Sequence, residues 1–293
     1  MPVLLLVDAA RTGAGATDPD DRIRVVRADA PHVQVLDLGV TRGDGVFESF
    51  GVVDGAVQAL EPHLARLGRS LAMLDLPELD LDVLRTAVLR SVELHEPRPE
   101  LLCKLVVTRG VEGSGVPTAW VYTDPGADFS RERRDGIAVV TLDRGLRHDV
   151  ARTSPWLLQG AKTLSYAVNK AALREAARRG AQDVLFVSSD GHVLEGPTST
   201  LVARYGRTVV TPATDQGILA GTTQAAAFDW FAAEGFDVAE RVLLTDELAG
   251  ADALWLLSSG RQAAPLRALD GRALVVDAET TTGLLRHLLG RRE

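Results

Sequence analysis

The chain contains 293 residues, of which 46% are hydrophobic and 25% are charged, and its formal net charge is −8. This length suits about two domains of ~150 residues each, and the composition is typical of a globular protein. The negative charge argues against a nucleic-acid-binding protein, because nucleic acids are bound by basic surfaces. The apolar run at residues 3–7 is too short for a signal peptide or a membrane span. We therefore expect a cytoplasmic protein that binds no membrane.

The first part of the chain, residues 1–125, predicts a small domain of mixed strands and helices. Residues 11–22 are rich in Gly and Asp, which predicts a loop; its GAGAT segment lacks the lysine of a phosphate-binding P-loop. The segment from Pro62 repeats leucine at helical spacing, and a second helix is predicted over residues 82–94. The apolar run LLCKLVV, residues 101–107, predicts a buried strand.

A polar and charged stretch over residues 126–136 predicts the linker to a second domain. The apolar run that starts at Ile137 opens a larger, β-rich domain, which we expect to extend over residues 137–293. The predicted fold class is therefore α/β, of the α+β kind, in two domains. Three arginines early in the second domain could each reach an anionic substrate, and the sequence does not choose among Arg144, Arg147 and Arg152.

Lysine is rare in this chain. Lys104, Lys162 and Lys170 are the only lysines, so the other 29 of the 32 basic residues are arginine. A Schiff base requires a primary amine, which the arginine side chain lacks. Lys104 lies in an apolar run and Lys170 inside an amphipathic helix, whereas Lys162 lies at the entrance of that helix, which Gly180 ends. The alternative is that all three are surface lysines.

Two other positions bring polar groups to the ends of predicted elements. The segment VLFVSSDGHVLE predicts a strand, a turn and a returning strand that ends at Glu195, just before Gly196. Thr222 and Thr223 open a helix that Gly235 closes, and the start of a helix binds phosphate through its amide groups and its dipole. The alternative for the threonines is a hydroxyl cap that binds no ligand.

Arg66 and Arg109 are candidate anion-binding residues. Arg66 lies off the leucine stripe of its helix, where the common alternative is a solvated arginine. Arg109 ends a strand, and its planar guanidinium suits a carboxylate; the ordinary alternative is an exposed arginine. Cys103, the single cysteine, is predicted to be a small core residue. The histidines are scattered without the spacing of metal ligands, so no metal site is predicted.

Lys162-Thr163-Leu164, the helix that follows, the strand VLFV and the segment EGPTST from Glu195 resemble the core of the fold-type IV pyridoxal-phosphate enzymes. That family includes branched-chain aminotransferases, D-amino-acid aminotransferases and aminodeoxychorismate lyases. The resemblance extends from about Asp37 to Pro265, with the elements in the family's order. It implies a two-domain fold of the D-amino-acid aminotransferase type, pyridoxal 5′-phosphate as the cofactor in a cleft between the domains, and a homodimer.

The resemblance also implies roles for particular residues. Lys162 would hold the cofactor in a Schiff base and act as general base and acid, and Glu195 would keep the pyridine nitrogen protonated. The residues expected to contact the cofactor are Arg66, Lys162, Tyr166, Glu195, Thr222, Thr223 and Ser259. The residues expected to contact a small anionic substrate, an amino carboxylate, are Phe47 and Arg109.

The motifs favour one reaction within the family. Lys-Thr-Leu at 162–164 and Val-Thr-Arg-Gly at 107–110 resemble the lyase and D-amino-acid branches more than the branched-chain one, and Val111 stands where the D-amino-acid enzymes often carry histidine. We therefore predict a lyase that converts 4-amino-4-deoxychorismate to 4-aminobenzoate and pyruvate in folate biosynthesis. The alternatives are an aminotransferase for branched-chain or D-amino acids, and a non-catalytic relative that binds a phosphorylated ligand. Such a relative would have no need of Lys162 together with Glu195.

The chain departs from the family pattern at two positions. Thr200 replaces the usual asparagine after the EGPTS segment, and Gln224 replaces the arginine common after the Thr-Thr pair. Both departures bear on the hydrogen bonds at the phosphate and on the identity of the substrate, whereas they leave the expected cofactor unchanged.

Overall fold

The computed structural model describes residues 1–10 and 18–292, which form two compact units. The first unit takes Met1–Ala127, Ala161–Tyr166 and the C-terminal residues from Arg291; the second takes Asp128–Gly160 and Ala167–Gly290. The GAGAT segment lies outside the described residues. The chain therefore passes between the units more than once, and the first unit is assembled from separate parts of the sequence.

Six strands form the sheet of the first unit: β1 (Val3–Val7), β2 (Ile23–Val26), β3 (Gly45–Val53), β4 (Ala56–Val57), β5 (Glu100–Thr108) and β6 (Thr118–Asp124). Their order is β2-β1-β6-β5-β3-β4, and every neighbouring pair is antiparallel. Asp54 and Gly55, with φ of 47° and 80°, form the tight turn between β3 and β4, because an Asp-Gly pair tolerates the positive φ values that such hairpins require.

Three helices belong to the first unit: α1 (Leu38–Thr41), α2 (Leu60–Met73) and α3 (Leu81–Glu93). A short 3-10 helix spans Pro19–Arg22. The Asp80 carboxylate starts α3 by accepting hydrogen bonds from the backbone N–H groups of Asp82 and Val83. Helix α2 packs against β3 and buries a mixture of leucines and polar residues: His63, Leu64, Arg66, Leu67, Ser70 and Leu71.

The second unit is built on one mixed sheet of eight strands: β7 (Ile137–Asp143), β8 (Asp183–Val187), β9 (Thr200–Tyr205), β10 (Thr208–Pro212), β11 (Asp237–Arg241), β12 (Ala253–Ser258), β13 (Gln262–Leu269) and β14 (Arg272–Ala273). The order is β11-β10-β9-β12-β13-β7-β8, and β14 pairs with β13. Strand β7 runs parallel to β8 and to β13, and β10 runs parallel to β11. The ends of β7 and β8 therefore lie side by side at one edge of the sheet.

The helices of the second unit are α4 (Ser130–Asp135), α5 (Val150–Thr153), α6 (Ala167–Arg178), α7 (Thr222–Ala233) and α8 (Ala278–Gly290). Short 3-10 helices span Pro155–Leu157, Thr214–Gln216 and Thr245–Gly250. Helices α7 and α8 share a core cluster with β12, formed around Phe231, Trp255 and Leu284. The indole N–H of Trp255 donates to Thr281 Oγ1 at 2.8 Å, so this buried polar atom is satisfied.

Two segments differ from the pattern that the sequence predicts. Lys162 is expected at the entrance of a helix, but α6 begins only at Ala167, because the residues before it pair with β3 instead. The stretch expected as a linker, 126–136, contains α4. Its Arg133 is buried and donates to the carbonyls of Gly260 and Arg261, both at 3.0 Å, which attaches this helix to the second unit.

Two predictions concern the chain as a whole. Among the described residues, no helix has both the length and the apolar content needed to cross a membrane; the cytoplasmic location stays a prediction. Cys103 is fully buried, and burial raises the pKa of its thiol to about 11. A thiol with that pKa is almost entirely protonated at pH 7, so Cys103 is a core residue, as predicted, and not a nucleophile.

Candidate active site

The segment that contains Lys162 adds to the edge of β3. The Phe47 N–H donates to the Lys162 carbonyl at 3.0 Å, and the Leu164 N–H donates to the Gly45 carbonyl at 2.8 Å. The Lys162 N–H donates to Ser70 Oγ on α2 at 3.1 Å. The backbone of Lys162 is therefore fixed by hydrogen bonds on both sides, without any ligand.

An aromatic pair lies beside the amine of Lys162. The Nζ atom is 4.5 Å from the centre of the Phe47 ring, and the Tyr166 ring meets Phe47 edge-on with the ring centres 5.4 Å apart. A cation above an aromatic ring is attracted by about 0.5–2 kcal/mol, depending on its exposure. Three residues predicted from the sequence, Lys162, Phe47 and Tyr166, thus lie together in the first unit.

The other lysines are in different surroundings. Lys104 and Lys170 are exposed, whereas Lys162 is half-buried. Exposed lysines keep a hydrated ammonium group, which suits a solubilising surface role. Among the three amines, only that of Lys162 has both a fixed backbone and a partly enclosed side chain.

Arg66 forms a buried ion pair with Glu48 of β3. Its Nε and Nη2 atoms donate to the two carboxylate oxygens at 2.8 and 2.7 Å. Glu48 is fully buried and Arg66 is 5% exposed. His63, three residues before Arg66 on α2, places its Nδ1 atom 2.7 Å from Glu48 Oε2. The arginine predicted to contact a phosphate is thus already engaged, in a bidentate pair, with a carboxylate of its own unit.

The three groups of this cluster set one another's charge. Burial alone would raise the pKa of Glu48, but the hydrogen bonds and positive charge of Arg66, together with the contact from His63, lower it to about 2. Burial lowers the pKa of His63, and the charges of Arg66 and Lys162 act in the same direction against the opposing contact with Glu48. The lowered pKa favours the neutral imidazole, and because a carboxylate accepts, the hydrogen between His63 and Glu48 is donated by Nδ1. The pair of Glu48 and Arg66 carries no net charge.

Arg109 is also engaged with its own unit. Its Nε and Nη2 atoms donate to the Asp44 carboxylate at 2.6 and 3.3 Å. The same guanidinium donates to the carbonyls of Leu74 (2.6 Å) and Asp75 (3.1 Å), which follow the end of α2. Arg109 therefore fastens the end of α2 to the end of β5, and a substrate carboxylate would share it with Asp44.

Glu195 lies at the end of a short return along β8. The Leu194 N–H donates to the Phe186 carbonyl and the Phe186 N–H donates to the Glu195 carbonyl, both at 2.9 Å. The Glu195 carboxylate accepts a hydrogen bond from the Leu219 N–H at 3.3 Å. It lies on the wall of a small cavity of the second unit, together with Arg144, Arg147, Asn169, Phe186 and Gln216.

The start of α7 has a glycine at its N-cap position. Gly221 offers no side chain to the first amides of the helix, which begins at Thr222. A methyl group added at Gly221 would lie 2.5 Å from Thr200 Oγ1 and 3.1 Å from Gln224 Cβ. The two positions at which the chain departs from the family pattern therefore both pack against this glycine.

Two buried polar atoms near Glu195 and α7 in sequence have no hydrogen-bond partner in the part of the chain that the structure describes, whereas the hydroxyl residues at the expected phosphate site do not share this feature. Ser199 Oγ and Gln216 Oε1 are buried, and neither has a hydrogen-bond partner among the residues that the structure describes. Thr223 is buried, Thr222 is half-buried, and Ser259 is half-buried just after the end of β12. Buried polar atoms without partners are rare in native proteins and point to a missing ligand or water.

The three arginines between which the sequence does not choose differ in position. Arg144 and Arg147 line the cavity beside Glu195, and the Arg144 guanidinium lies 4.7 Å from the centre of the Phe186 ring. The Arg152 side chain is 78% exposed and lies 3.7 Å from the Asp149 carboxylate. The geometry of the second unit therefore favours Arg144 and Arg147 over Arg152 as groups near Glu195.

Comparison with known proteins identifies the class of this fold and site. Residues 45–269 match the sequence profile of the family described as amino-transferase class IV. This match covers more than half of the chain, and the chain belongs to that family. It is accordingly an enzyme that uses pyridoxal 5′-phosphate, and the predicted family, fold class and cofactor are confirmed.

Three individual proteins are similar to this chain over most of its length. The chain is 44% identical over 260 residues to a bifunctional aminodeoxychorismate lyase / D-amino acid transaminase of Mycobacterium tuberculosis, an alignment covering 85% of this chain and 90% of the relative. It is similar to a fold IV transaminase from Curtobacterium pusillum, with 55% identity, a TM-score of 0.95 and coverage of 99% and 100%. A PLP-bound hypothetical aminotransferase from Mycobacterium tuberculosis is 40% identical with a TM-score of 0.88, and 98% of each chain is covered.

The donors on each unit suit this cofactor. Lys162 supplies a primary amine on a fixed backbone, and Glu195 supplies a carboxylate for a pyridine nitrogen. The start of α7 suits a phosphate, because a helix N-terminus presents amide donors and the positive end of a dipole. Ser199 Oγ, which is buried and has no hydrogen-bond partner among the described residues, is a further hydroxyl donor in the same unit as Glu195, whereas Gln216 Oε1 is an amide oxygen that can only accept.

Sequence reasoning missed three residues around the lysine segment. Glu48, His63 and Ser70 are buried polar residues that hold Arg66 or the backbone of Lys162. One signal was present in the sequence, since residues 63, 66 and 70 have the spacing of one helix face. A polar stripe beside a leucine stripe is also the ordinary pattern of a helix with one side in solvent, so this spacing places the three residues together but does not predict their burial.

Proposed function

We propose that this enzyme converts 4-amino-4-deoxychorismate to 4-aminobenzoate and pyruvate. The observation that carries the reaction class is Lys162, whose backbone is fixed and whose amine lies 4.5 Å from the Phe47 ring. Two observations support the proposal, although the first is compatible with transamination as well. The chain is 44% identical to a relative named as a bifunctional aminodeoxychorismate lyase / D-amino acid transaminase, and Val111 stands where D-amino-acid enzymes often carry histidine.

Bound pyridoxal phosphate supplies an electron sink for the electron pair left when a proton leaves the amine-bearing carbon. Lys162 would take that proton, because its half-buried amine beside the Phe47 ring is the basic group expected at the cofactor. The bond between the ring carbon and the enolpyruvyl oxygen then breaks, and the departing group gains a proton on its methylene carbon to become pyruvate. The ring becomes aromatic, so the step is effectively irreversible and needs no second substrate.

Other residues of the chain bind and orient. Glu195 would hold the pyridine nitrogen of the cofactor and favour its protonated form. Thr222, Thr223 and the amides at the start of α7 bind the phosphate, with Arg66 and Ser259 as further contacts. Phe47 and Tyr166 restrict the amine of Lys162 to one region of space. Arg109 binds a substrate carboxylate while it stays paired with Asp44.

A second candidate function is transamination of D-amino acids. The name of the Mycobacterium tuberculosis relative includes this activity, and a D-alanine aminotransferase of Bacillus licheniformis is 26% identical over 257 residues. The same lysine and carboxylate serve both reactions, because each begins with removal of a proton from the amine-bearing carbon. An aminotransferase differs in passing the amine to a keto acid, which gives ping-pong kinetics.

The deciding assay supplies 4-amino-4-deoxychorismate without any keto acid and measures 4-aminobenzoate and pyruvate. We expect the two products in equal amounts. In parallel, a panel of D- and L-amino acids is tested with 2-oxoglutarate. The Lys170→Ala variant serves as the control, because its exposed amine has no expected role, whereas Lys162→Ala should lose both activities. If some amino acid were converted to its keto acid and no 4-aminobenzoate formed, the enzyme would be an aminotransferase and the proposed lyase function would be wrong.

We also propose that the enzyme is a homodimer, as its family resemblance implies. Exposed apolar side chains support this assembly, among them Trp156 at 74% and Val168 at 58% exposure in the second unit. Exposed apolar side chains can form the buried centre of a contact between subunits. Sedimentation equilibrium of the cofactor-loaded enzyme at assay concentration should give twice the mass of one chain, 31.3 kDa; a monomer under those conditions would contradict the proposal.

A further inference from the structure

Two loops of the second unit meet because their strands are parallel neighbours. Strand β7 pairs in parallel with β8, so that Asp143 lies opposite Val187 where both strands end. The segment after β7 carries His148, and the turn after β8 carries Asp190 and His192. The carboxyl ends of parallel strands lie at the same edge of a sheet, which brings together residues that are more than forty positions apart.

Backbone contacts fix these two segments. The Arg144 N–H donates to the Val187 carbonyl at 2.8 Å, and the Ser189 N–H donates to the Leu146 carbonyl at 2.9 Å. The turn itself is closed at Gly191, whose φ of 86° suits glycine. The side chains on this turn are therefore held in place by the protein before any ligand binds.

His148, Asp190 and His192 form one group. Each offers one ligand atom, and these atoms all lie within 4.8 Å of one another. His148 Nδ1 is 2.7 Å from one Asp190 oxygen, and His192 Nδ1 is 3.5 Å from the other. Ligand atoms around a tetrahedral ion with bonds of about 2.0–2.1 Å lie roughly 3.4 Å apart. The separations of 2.7 and 3.5 Å lie on either side of that value, so rotations of these side chains about their own bonds would admit an ion.

One nitrogen of the group has no partner. His192 Nδ1 is buried and makes no hydrogen bond to any residue that the structure describes, although it lies next to the Asp190 carboxylate. The imidazole rings of His148 and His192 are stacked with their centres 4.0 Å apart. The group therefore offers one carboxylate to two neighbouring imidazoles.

We propose that His148, Asp190 and His192 bind one divalent transition-metal ion of the zinc class per chain. Two imidazoles and one carboxylate are ligands that such ions prefer, whereas calcium and magnesium prefer sites made of oxygen atoms. Three protein ligands leave a fourth position for water. The nearest competing cation is Arg147, whose Nη2 lies 3.5 Å from Asp190 and whose side chain is 64% exposed, so it can move aside.

The ion would join two walls of the cavity beside Glu195. The segment after β7 contributes Arg144 and Arg147 to that cavity, and the return after the 188–192 turn contributes Leu194 and Glu195. Fixing the two segments to each other restrains Glu195 from one side. We therefore expect zinc to stabilise the second unit, independently of which reaction the enzyme catalyses.

The test uses tag-free, cofactor-loaded enzyme freed of metals by dialysis against a chelator. Calorimetric titration with zinc chloride should give one saturable site per chain, and zinc should raise the melting temperature while magnesium at the same concentration should not. His148→Ala and His192→Ala should each weaken zinc binding about a hundredfold, since each removes one of three ligands. His287→Ala is the matched control, because that histidine lies in the last turn of α8 in the same unit.

The outcomes separate the possibilities. Zinc binding of unchanged affinity in His148→Ala and His192→Ala, or no saturable binding by the unaltered enzyme up to about millimolar zinc, overturns the proposal. Should those variants fail to fold, anomalous diffraction at the zinc edge from crystals of the unaltered enzyme decides. An ion between the three side chains supports the site, and zinc found only at other positions, including the cofactor, refutes it.

Discussion

The surroundings of Lys162 in the first unit and the start of α7 in the second differ in how their polar groups are satisfied. In the first unit, Arg66 is paired with Glu48 and Arg109 with Asp44, and the backbone of Lys162 is hydrogen-bonded on both sides. In the second unit, α7 begins after a glycine. Ser199, shortly after Glu195, and Gln216, shortly before α7, each have a buried polar atom without a hydrogen-bond partner among the described residues.

The difference indicates a division of tasks. A region whose charges are already paired is rigid before a ligand arrives, and it suits chemistry that needs a fixed amine. The buried hydroxyl of Ser199 can donate to a bound anion, and leaving such a group without a partner costs about 1–3 kcal/mol. We therefore expect the first unit to contribute mainly covalent attachment and proton transfer, and the second to contribute most of the affinity for the phosphate.

The largest effect is expected from Lys162→Ala. Turnover should fall by more than about 10⁴-fold, because general acid–base catalysis alone supplies about 10²–10⁴ and covalent attachment is lost as well. The visible absorption band of the attached cofactor should vanish, and borohydride should trap no cofactor on the protein. Noncovalent binding should persist if the second unit provides most of the affinity.

The controls for this variant are the two exposed lysines. Lys104→Ala and Lys170→Ala should keep the absorption band and the borohydride adduct. Peptide mapping of the trapped enzyme should identify one modified peptide, which contains Lys162. An adduct on another lysine, or one that survives Lys162→Ala, would assign the attachment site elsewhere.

The next largest effect concerns the buried pair in the first unit. Arg66→Ala leaves the Glu48 carboxylate buried without its charged partner, so the free energy of unfolding should fall by about 3–5 kcal/mol. Urea denaturation measures this loss. Replacing both partners, as in Arg66→Leu with Glu48→Leu, should recover much of the lost stability, because no unpaired charge is then left buried.

An exposed pair between α2 and α3 provides a matched control for Arg66→Ala. Arg85 lies 2.6 Å from Glu61, whose side chain is 63% exposed, and exposed pairs contribute only about 0–1 kcal/mol. Arg85→Ala should therefore change stability little. Arg66→Ala could instead leave stability unchanged and weaken cofactor binding about ten- to a hundredfold. That result would show that Arg66 contributes mainly to phosphate binding and not to stability through its ion pair with Glu48.

Acid should weaken the same cluster. The pKa of Glu48 is about 2 in the folded protein and about 4.5 ordinarily, so its contribution to stability is present above pH 4.5 and is lost as the pH falls toward 2. The full contribution is roughly 3 kcal/mol, of which about 2 kcal/mol should disappear between pH 5 and pH 3. Urea denaturation across that range measures it. The free energy of unfolding of Glu48→Gln should depend less on pH. If its pH dependence were unchanged, ionisable groups other than Glu48 would be responsible for the acid sensitivity.

The smallest effect is expected at the start of α7. Gly221→Ala places a methyl group 2.5 Å from Thr200 Oγ1, and overpacking of this kind costs about 1–3 kcal/mol. Affinity for pyridoxal phosphate should fall about five- to a hundredfold if the phosphate binds here, as fluorescence titration of the apoenzyme would measure. Gly250→Ala is the control, because nothing lies within 4 Å of the added methyl group. Equal affinities of the two variants for pyridoxal phosphate would show that the phosphate does not bind at the start of α7.

The sequence predicts local elements well and distant partners poorly. The helix that α7 forms and the return from β8 to Glu195 follow from spacing and turn residues, which report on neighbours along the chain. The pairing of Lys162 with β3 has no such signal, because the two segments are far apart in sequence and meet only through a sheet edge. The family resemblance supplied the role of Lys162 but not the reason why helix α6 starts five residues after it.

Charged residues show the same limit. The sequence marks Arg66 and Arg109 as candidate anion-binding arginines, yet their carboxylate partners, Glu48 and Asp44, follow from tertiary contacts alone. His148 and His192 are separated by a whole helix, and only the parallel pairing of β7 with β8 brings them together. Sequence spacing could identify neither relation, since it describes single elements.

The position of Lys162 has a consequence for synthesis on the ribosome. Residues 45–47 at the start of β3 pair with residues 162–164, so this edge of the first sheet stays open until the later segment has been translated. At 5–20 residues per second, the ~120 intervening residues take roughly 6–24 s to emerge. An open strand edge can pair with another nascent chain during that interval. The order of translation therefore exposes the Lys162-binding edge of this enzyme to misassembly before its own chain can cover it.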